Sequence, residues 1–168
     1  MKATTTRTAI AALVAAAGLL AGGLVWSGKD RSTHDELGTD TALPLLTVHK
    51  SASCGCCVKW IEHMREAGFP VEVHDTDDML PVKQGAGVPY GKGSCHTAQV
   101  GGYFVEGHVP AADVKRLLAE KPQARGLTVP GMPAGSPGME MPNGRVQPYA
   151  VELVADDGST SVFARHGE

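Results

Sequence analysis

From residue 45 onward, short apolar runs alternate with longer amphipathic stretches, and the spacing of the apolar positions predicts the elements. Leu45-Leu46-Thr47-Val48-His49 is a short apolar, partly β-branched run and reads as a buried strand. From Cys57 the apolar residues Val58, Trp60, Ile61, Met64 and Ala67 recur at helical spacing, with Lys59, Glu62, His63, Arg65 and Glu66 on the polar face. Gly68 stops this helix and Pro70 follows. Val71-Glu72-Val73-His74 alternates and predicts a second strand, parallel to the first by way of the helix.

Asp75 to Gln84 is a weaker helical segment, interrupted by Pro81, and Gly85 to Gly93 reads as a loop. Ala98-Gln99-Val100 and Tyr103-Phe104-Val105 flank Gly101-Gly102, which predicts a β-hairpin. A helix then runs from Pro110 to Lys121, with Val114, Leu117 and Leu118 on its apolar face and Pro122 ending it. Gly126 to Pro148 is rich in Gly, Pro and Met and predicts a long loop. Tyr149–Val154 and Ser159–Ala164 alternate around Asp156-Asp157-Gly158, a second hairpin. The order β-α-β-α-β-β-α followed by a hairpin is that of an α/β domain with a mixed sheet.

The N-terminal segment differs. Met1 to Thr8 carries Lys2 and Arg7 and no acid, and Ala9 to Val25 is an uninterrupted run of Ala, Leu, Val, Ile and Gly. A positive start followed by an apolar run is the layout of an export signal, or of an N-terminal membrane anchor if it is retained. The alternative is a buried hydrophobic helix of the domain. Ser27 to Leu43 is polar and aperiodic, a linker. The division is therefore 1–26 signal peptide or anchor, 27–43 linker and 44–168 domain, with export to an oxidising compartment.

Composition narrows the classes. A chain of 168 residues with 42% hydrophobic content supports one compact core beyond its N-terminal segment. A formal net charge of -3 argues against a nucleic-acid partner. Four cysteines are too few for a disulfide-stapled scaffold of this length, and three of them fall in Cys54-Gly55-Cys56-Cys57.

That motif opens the first helix, where backbone N–H groups and the helix dipole favour a thiolate at Cys54 and Cys56. Cys54 and Cys57 form a Cys-x-x-Cys pair, as a redox-active dithiol requires. The extra Cys56 supplies a third sulfur in the same turn, and clustered thiolates select Cu(I), with Zn(II) next. Two disulfides, Cys54–Cys57 and Cys56–Cys95, are the structural alternative. Cys95 is followed by His96, the best histidine candidate for a ligand or proton donor. His108 precedes the last helix and could serve as a cap or a ligand, and His49 closes the first strand. His34, His63 and His166 read as solvated, and His74 as a strand end. Met132, Met139 and Met141 lie among Gly and Pro residues rather than in a periodic element. Their thioethers are soft donors that survive oxidising conditions, or else they are adaptable filler over an open face.

Five stretches then resemble one known family: Val48–Cys57, Val71–Asp78, Ser94–Ala98, Gly107–Ala111 and Val129–Pro133 through Glu140. In this order they are similar to the CopG-type proteins of bacterial copper-resistance operons, over roughly Leu45 to Ala164. The resemblance implies a thioredoxin-like mixed sheet flanked by helices, here with an added C-terminal hairpin and the Met/Gly/Pro-rich loop. It implies a periplasmic protein that binds copper through Cys54, Cys56, Cys57 and Cys95, with His96, Met132 and Met139 as accessory ligands. It also implies a role in copper resistance, redox interconversion of Cu(I) and Cu(II) being one route to it. Departures from the pattern are His49 where an aromatic such as Tyr is expected, Ala52 where Pro is common, and Pro81 with the glycines after it. Where thioredoxins carry a cis-proline facing the Cys motif, this chain reads Cys95-His96-Thr97, which turns a substrate-docking position into a ligand position.

Three functions follow from these residues. The first is a periplasmic copper protein holding more than one Cu(I) in a thiolate-bridged site. The second is a thiol–disulfide oxidoreductase with Cys54 and Cys57 as its catalytic pair. The third is a passive copper chaperone or storage module. The partners implied are copper ions and other periplasmic copper-handling proteins, with an N-terminal membrane tether if the apolar run is retained.

Overall fold

In the computed structural model, residues 42–168 are described; the expected signal or anchor and nearly all of the linker lie outside them. The first strand, β1, covers Leu46–Lys50. It leads through the cysteine loop into helix α1, Gly55–Glu66, and then strand β2, Val71–Asp75. β1 and β2 pair in parallel, as the intervening helix predicts. The end of α1 is a glycine-based stop. Gly68 has φ +94°, its N–H reaches the Arg65 carbonyl, and the Phe69 N–H reaches Met64. Phe69 and Met64 both enter the core.

Helix α2 is Leu80–Ala86, and here the expected interruption at Pro81 is corrected. Pro81 lies in the first turn, where its missing N–H leaves no helical bond unmade, so it starts the helix rather than breaking it. The helix reaches Ala86 and ends on Gly87 at φ 78°, two residues into the stretch expected to be loop.

The predicted hairpin is present as β3, His96–Val100, and β4, Tyr103–Glu106, around Gly101-Gly102. Helix α3, Ala111–Glu120, follows. A short strand, β5 (Gly126–Thr128), then adds to β4 in parallel where a loop was expected. It is fully buried but only three residues long, too short to show a period. Gly126 is required there, since an added Cβ would lie 2.1 Å from the Phe104 carbonyl oxygen. The last hairpin is β6, Tyr149–Val154, and β7, Thr160–His166, with a bulge at the Val151/Glu152 step.

The sheet has seven strands in the order β2-β1-β3-β4-β5-β6-β7. α1 and α3 cover one face, burying Trp60, Ile61, Met64, Val114 and Leu117 against Leu46, Val48, Ala98, Val100 and Val105. Each fully buried large aliphatic side chain there contributes about 1.5–3 kcal/mol. Val58, expected on the apolar face of α1, is instead exposed. α2 meets the sheet on its other face through Lys83, whose Nζ donates to Thr97 Oγ1 and to Glu106. Among the described residues no helix is long and apolar enough to cross a membrane.

Candidate metal centre

Strand direction gathers the chemistry at one end of the sheet. β1 and β3 are antiparallel with Lys50 opposite His96, so the chain leaving β1 toward the cysteines passes the chain entering β3 through Cys95. β4 is antiparallel to β3, with Glu106 opposite Thr97, so Gly107-His108 leaves at the same end. β5 runs parallel to β4, so the Met-bearing loop also starts there.

The sulfurs of Cys54, Cys56, Cys57 and Cys95 all lie within 4.8 Å of one another. Cys54, the residue that precedes α1, is joined to Cys57 by a disulfide, and Cys56 and Cys95 are free thiols. Of the alternative pairing into two disulfides, only the Cys54–Cys57 bond is present. Cys56 Sγ stands 3.4 Å from Cys54 Sγ and 3.9 Å from Cys95 Sγ. Burial pushes the Cys95 thiol up to about 12, with the neighbouring Cys56 adding to the shift. Cys95 precedes a strand rather than a helix, and its buried surroundings favour the neutral thiol.

Cys95 also belongs to a second cluster, with His96 and His108. His96 Nδ1 lies 3.3 Å and His108 Nε2 3.1 Å from its sulfur. Both rings are buried, and they meet edge to face at 5.1 Å. His108 Nδ1 donates to the Pro137 carbonyl at 2.8 Å, which leaves the Nε2 lone pair directed at Cys95. His96 packs on Trp60, with ring centroids 4.3 Å apart, and its Nε2 is buried with no hydrogen-bond partner. Burial drives the His96 pKa down to about 3, with His108 and Lys83 adding to the effect, so the ring is neutral. Burial lowers His108 too. Two imidazoles against the Cys95 sulfur, one of them with a second, buried nitrogen that has no partner, suit a soft or borderline metal ion.

His108 was the weaker histidine in the sequence, yet its place was readable. The hairpin pairs Val100 with Tyr103, and each step back along β3 is a step forward along β4. Two steps beyond the ladder's last pair, Thr97 and Glu106, the same counting sets Cys95 opposite His108.

The Met loop is built rather than slack. Ser136 is fully buried, its hydroxyl donates to Pro133, and the Met139 N–H reaches the Ser136 carbonyl. The loop touches the site at two points. Gly138 lies on α1, where an added Cβ would meet the Cys56 carbonyl oxygen at 2.7 Å. The Ser94 hydroxyl, beside Cys95, donates to the Gly131 carbonyl. Met139, next to Gly138, is half-buried, and Met132 and Met141 are exposed.

Beneath Cys95 sits a group that sequence reasoning missed. Glu106 is completely buried and accepts from Lys83 Nζ, Thr97 Oγ1 and the Ser94 backbone N–H. An acid in an alternating strand gives no hint of burial; the partner is on α2, 23 residues away. Two histidines expected in solvent are also engaged. His63 Nε2 accepts the Ala111 N–H at 3.0 Å, capping α3, and His166 pairs with Asp113 at 2.7 Å.

A family model described as a protein of unknown function, DUF411, matches residues 92–139, the stretch that holds Cys95, His96, His108, Met132 and Met139. A solved structure titled "Copper resistance protein copG- Form 1" is 48% identical with a TM-score of 0.70, and the match covers 75% of this chain and 99% of that one. A second, "Copper resistance protein copG- Form 2", matches at the same identity and TM-score over 74% of this chain and 98% of that one. No curated protein matches the chain.

Proposed function

This chain belongs to the family of CopG-type copper-resistance proteins, and from that premise we propose that it is an exported, periplasmic protein that holds Cu(I) through its clustered cysteines. The observation that carries this reading is the convergence of four cysteine sulfurs from two distant segments within 4.8 Å. Thiolates select Cu(I) over harder ions, and sulfurs this close can bridge more than one ion. His96 and His108 complete the donor set on the Cys95 side, and Met139 and Met132 lie in the loop that closes on the site. In this reading Cys54 and Cys57 bind once their disulfide is reduced.

The disulfide also supports a redox role. Two Cu(II) ions take two electrons in becoming two Cu(I), and the Cys54 and Cys57 thiolates supply those two electrons in forming one disulfide. A dithiol reductant returns the pair to thiolates and completes the cycle.

Anaerobic Cu(I) titration of the reduced protein, with thiols counted, tests the reading. More than one Cu(I) per chain is expected, with a loss in Cys56→Ser. No binding, or an unchanged stoichiometry in Cys56→Ser, overturns it. The same disulfide favours a second reading, a thiol–disulfide oxidoreductase. That protein would reduce insulin disulfides when metal-free and would be indifferent to Met132→Ala and Met139→Ala. A storage or chaperone role predicts tight Cu(I) binding and transfer with no Cu(II) reduction.

A further inference from the structure

The face of the sheet that carries Glu72 and His74 holds a cluster with no part in the site above. His49 on β1 is directly opposite His74 on β2. Their rings stack with centroids 5.0 Å apart and planes inclined by 19°. Side chains alternate along a strand, so Glu72 shares the face with His74, and its carboxylate lies 2.9 Å from His74 Nε2. His74 and Glu72 are each about half exposed, at 47% and 53%. Lys50, the nearest cation on β1, points to the opposite face, where Asp75 takes it at 2.8 Å. No positive side chain of β1 or β2 therefore opposes a cation at the histidine pair.

We propose that His49, His74 and Glu72 form a separate site for a divalent cation, with Cu(II) as the ion it takes best. Two imidazoles and a carboxylate suit Cu(II), Ni(II) and Zn(II), and Cu(II) stands highest in the affinity order for such ligands. Neighbouring strands hold the two rings about one strand spacing apart, roughly 4.8 Å, so rotation of the exposed His74 ring against the half-buried His49 ring brings both imidazoles onto one ion. Glu72 stands ready either to ligate beside His74 or to hold its ring through the second nitrogen. The donors are neutral or hard, unlike thiolates, so this site favours Cu(II) over Cu(I). The cluster stands on its own geometry and does not depend on what the cysteines bind.

Copper(II) titration followed by electron paramagnetic resonance tests the site. The sample is the reduced full chain with its thiols filled by Ag(I), a closed-shell ion that neither oxidises them nor gives a signal. One Cu(II) per chain is expected, with hyperfine structure from two nitrogens. His49→Phe keeps the ring stack and removes a donor, and it should abolish stoichiometric binding, as should His74→Phe. Glu72→Gln should weaken binding by about 10–100-fold, the usual loss when a partner of a metal ligand is removed. His63→Gln and His166→Gln should leave the spectrum unchanged. The proposal is overturned if no Cu(II) is retained, or if the signal survives in His49→Phe/His74→Phe. A chain with all four cysteines changed to serine repeats the titration, so the result is independent of whether the thiols accept soft ions.

Discussion

His108 Nε2 lies 3.1 Å from Cys95 Sγ, and the same ring is held from behind by the Pro137 carbonyl at 2.8 Å. One bond sets the tautomer, and the lone pair left over points at a sulfur. A histidine from the end of β4 and a proline from the Met loop thus prepare the Cys95 side of the site together.

If His108 is a copper ligand, removing its imidazole should cost binding without unfolding the chain. His108→Phe is expected to lower Cu(I) affinity by about 10–100-fold, the scale on which metal-site partners act. Competition against a chromophoric Cu(I) chelator measures it. His108→Asn, a polar replacement that keeps no ring nitrogen, should behave the same way.

The buried imidazoles make the metal-free protein acid-sensitive. His96 titrates near 6.5 when unfolded and at about 3 when folded, so between these values the unfolded chain binds more protons. The His96 contribution should therefore be constant above about pH 6.5, and stability should fall by about 1.4 kcal/mol per pH unit below it. Cys95 runs the other way. Its folded pKa of about 12 lies above its ordinary value of 9.0, so stability should also fall as pH rises past 9.0. Urea midpoints from pH 4 to 10 in the metal-free protein, compared with His96→Phe and Cys95→Ser, check both slopes.

Glu106 is buried with Lys83, Thr97 and Ser94 all directed at it. Glu106→Ala leaves the Lys83 ammonium and the Ser94 N–H without their acceptor, and breaking such a pair costs about 3–5 kcal/mol. Glu106→Gln should cost less, because an amide oxygen still accepts from Ser94. Guanidinium unfolding of the three proteins gives the comparison.

Gly138 ties the Met loop to α1 at Cys56. Its φ is +86°, and a Cβ would stand 2.7 Å from the Cys56 carbonyl and 2.8 Å from the Trp60 nitrogen, both backbone atoms that cannot swing aside. Gly138→Ala should lift the loop off the cysteines. Faster alkylation of Cys56 by iodoacetamide is expected, with a stability loss of about 1–3 kcal/mol for the strained backbone.

Much of the scaffold was legible because local pattern and tertiary need agreed. Trp60, Ile61 and Met64 recur at helical spacing, and all three are buried on the sheet. The Gly101-Gly102 turn was readable from its glycines and set the β3–β4 register. Pro81 misled because proline breaks a helix interior but suits a first turn, and which of these applies depends on where the helix starts. β5 escaped because three residues show no period, and its place is set by β4 rather than by its own composition.

The sequence by itself determined which candidate soft donors the chain carries: Cys54-Gly55-Cys56-Cys57 before a helix, Cys95-His96 before a strand, and Met thioethers in a Gly/Pro loop. Side-chain softness is a property of the residue, so it can be read without coordinates. Which of these donors meet was decided only by tertiary structure. β3 runs antiparallel to both β1 and β4, and this brings Cys56, Cys95 and His108 from three separate segments to one end of the sheet. The burial that neutralises His96, packed on Trp60, and raises Cys95 is likewise tertiary, since desolvation belongs to the assembled surroundings of a group and not to the group itself.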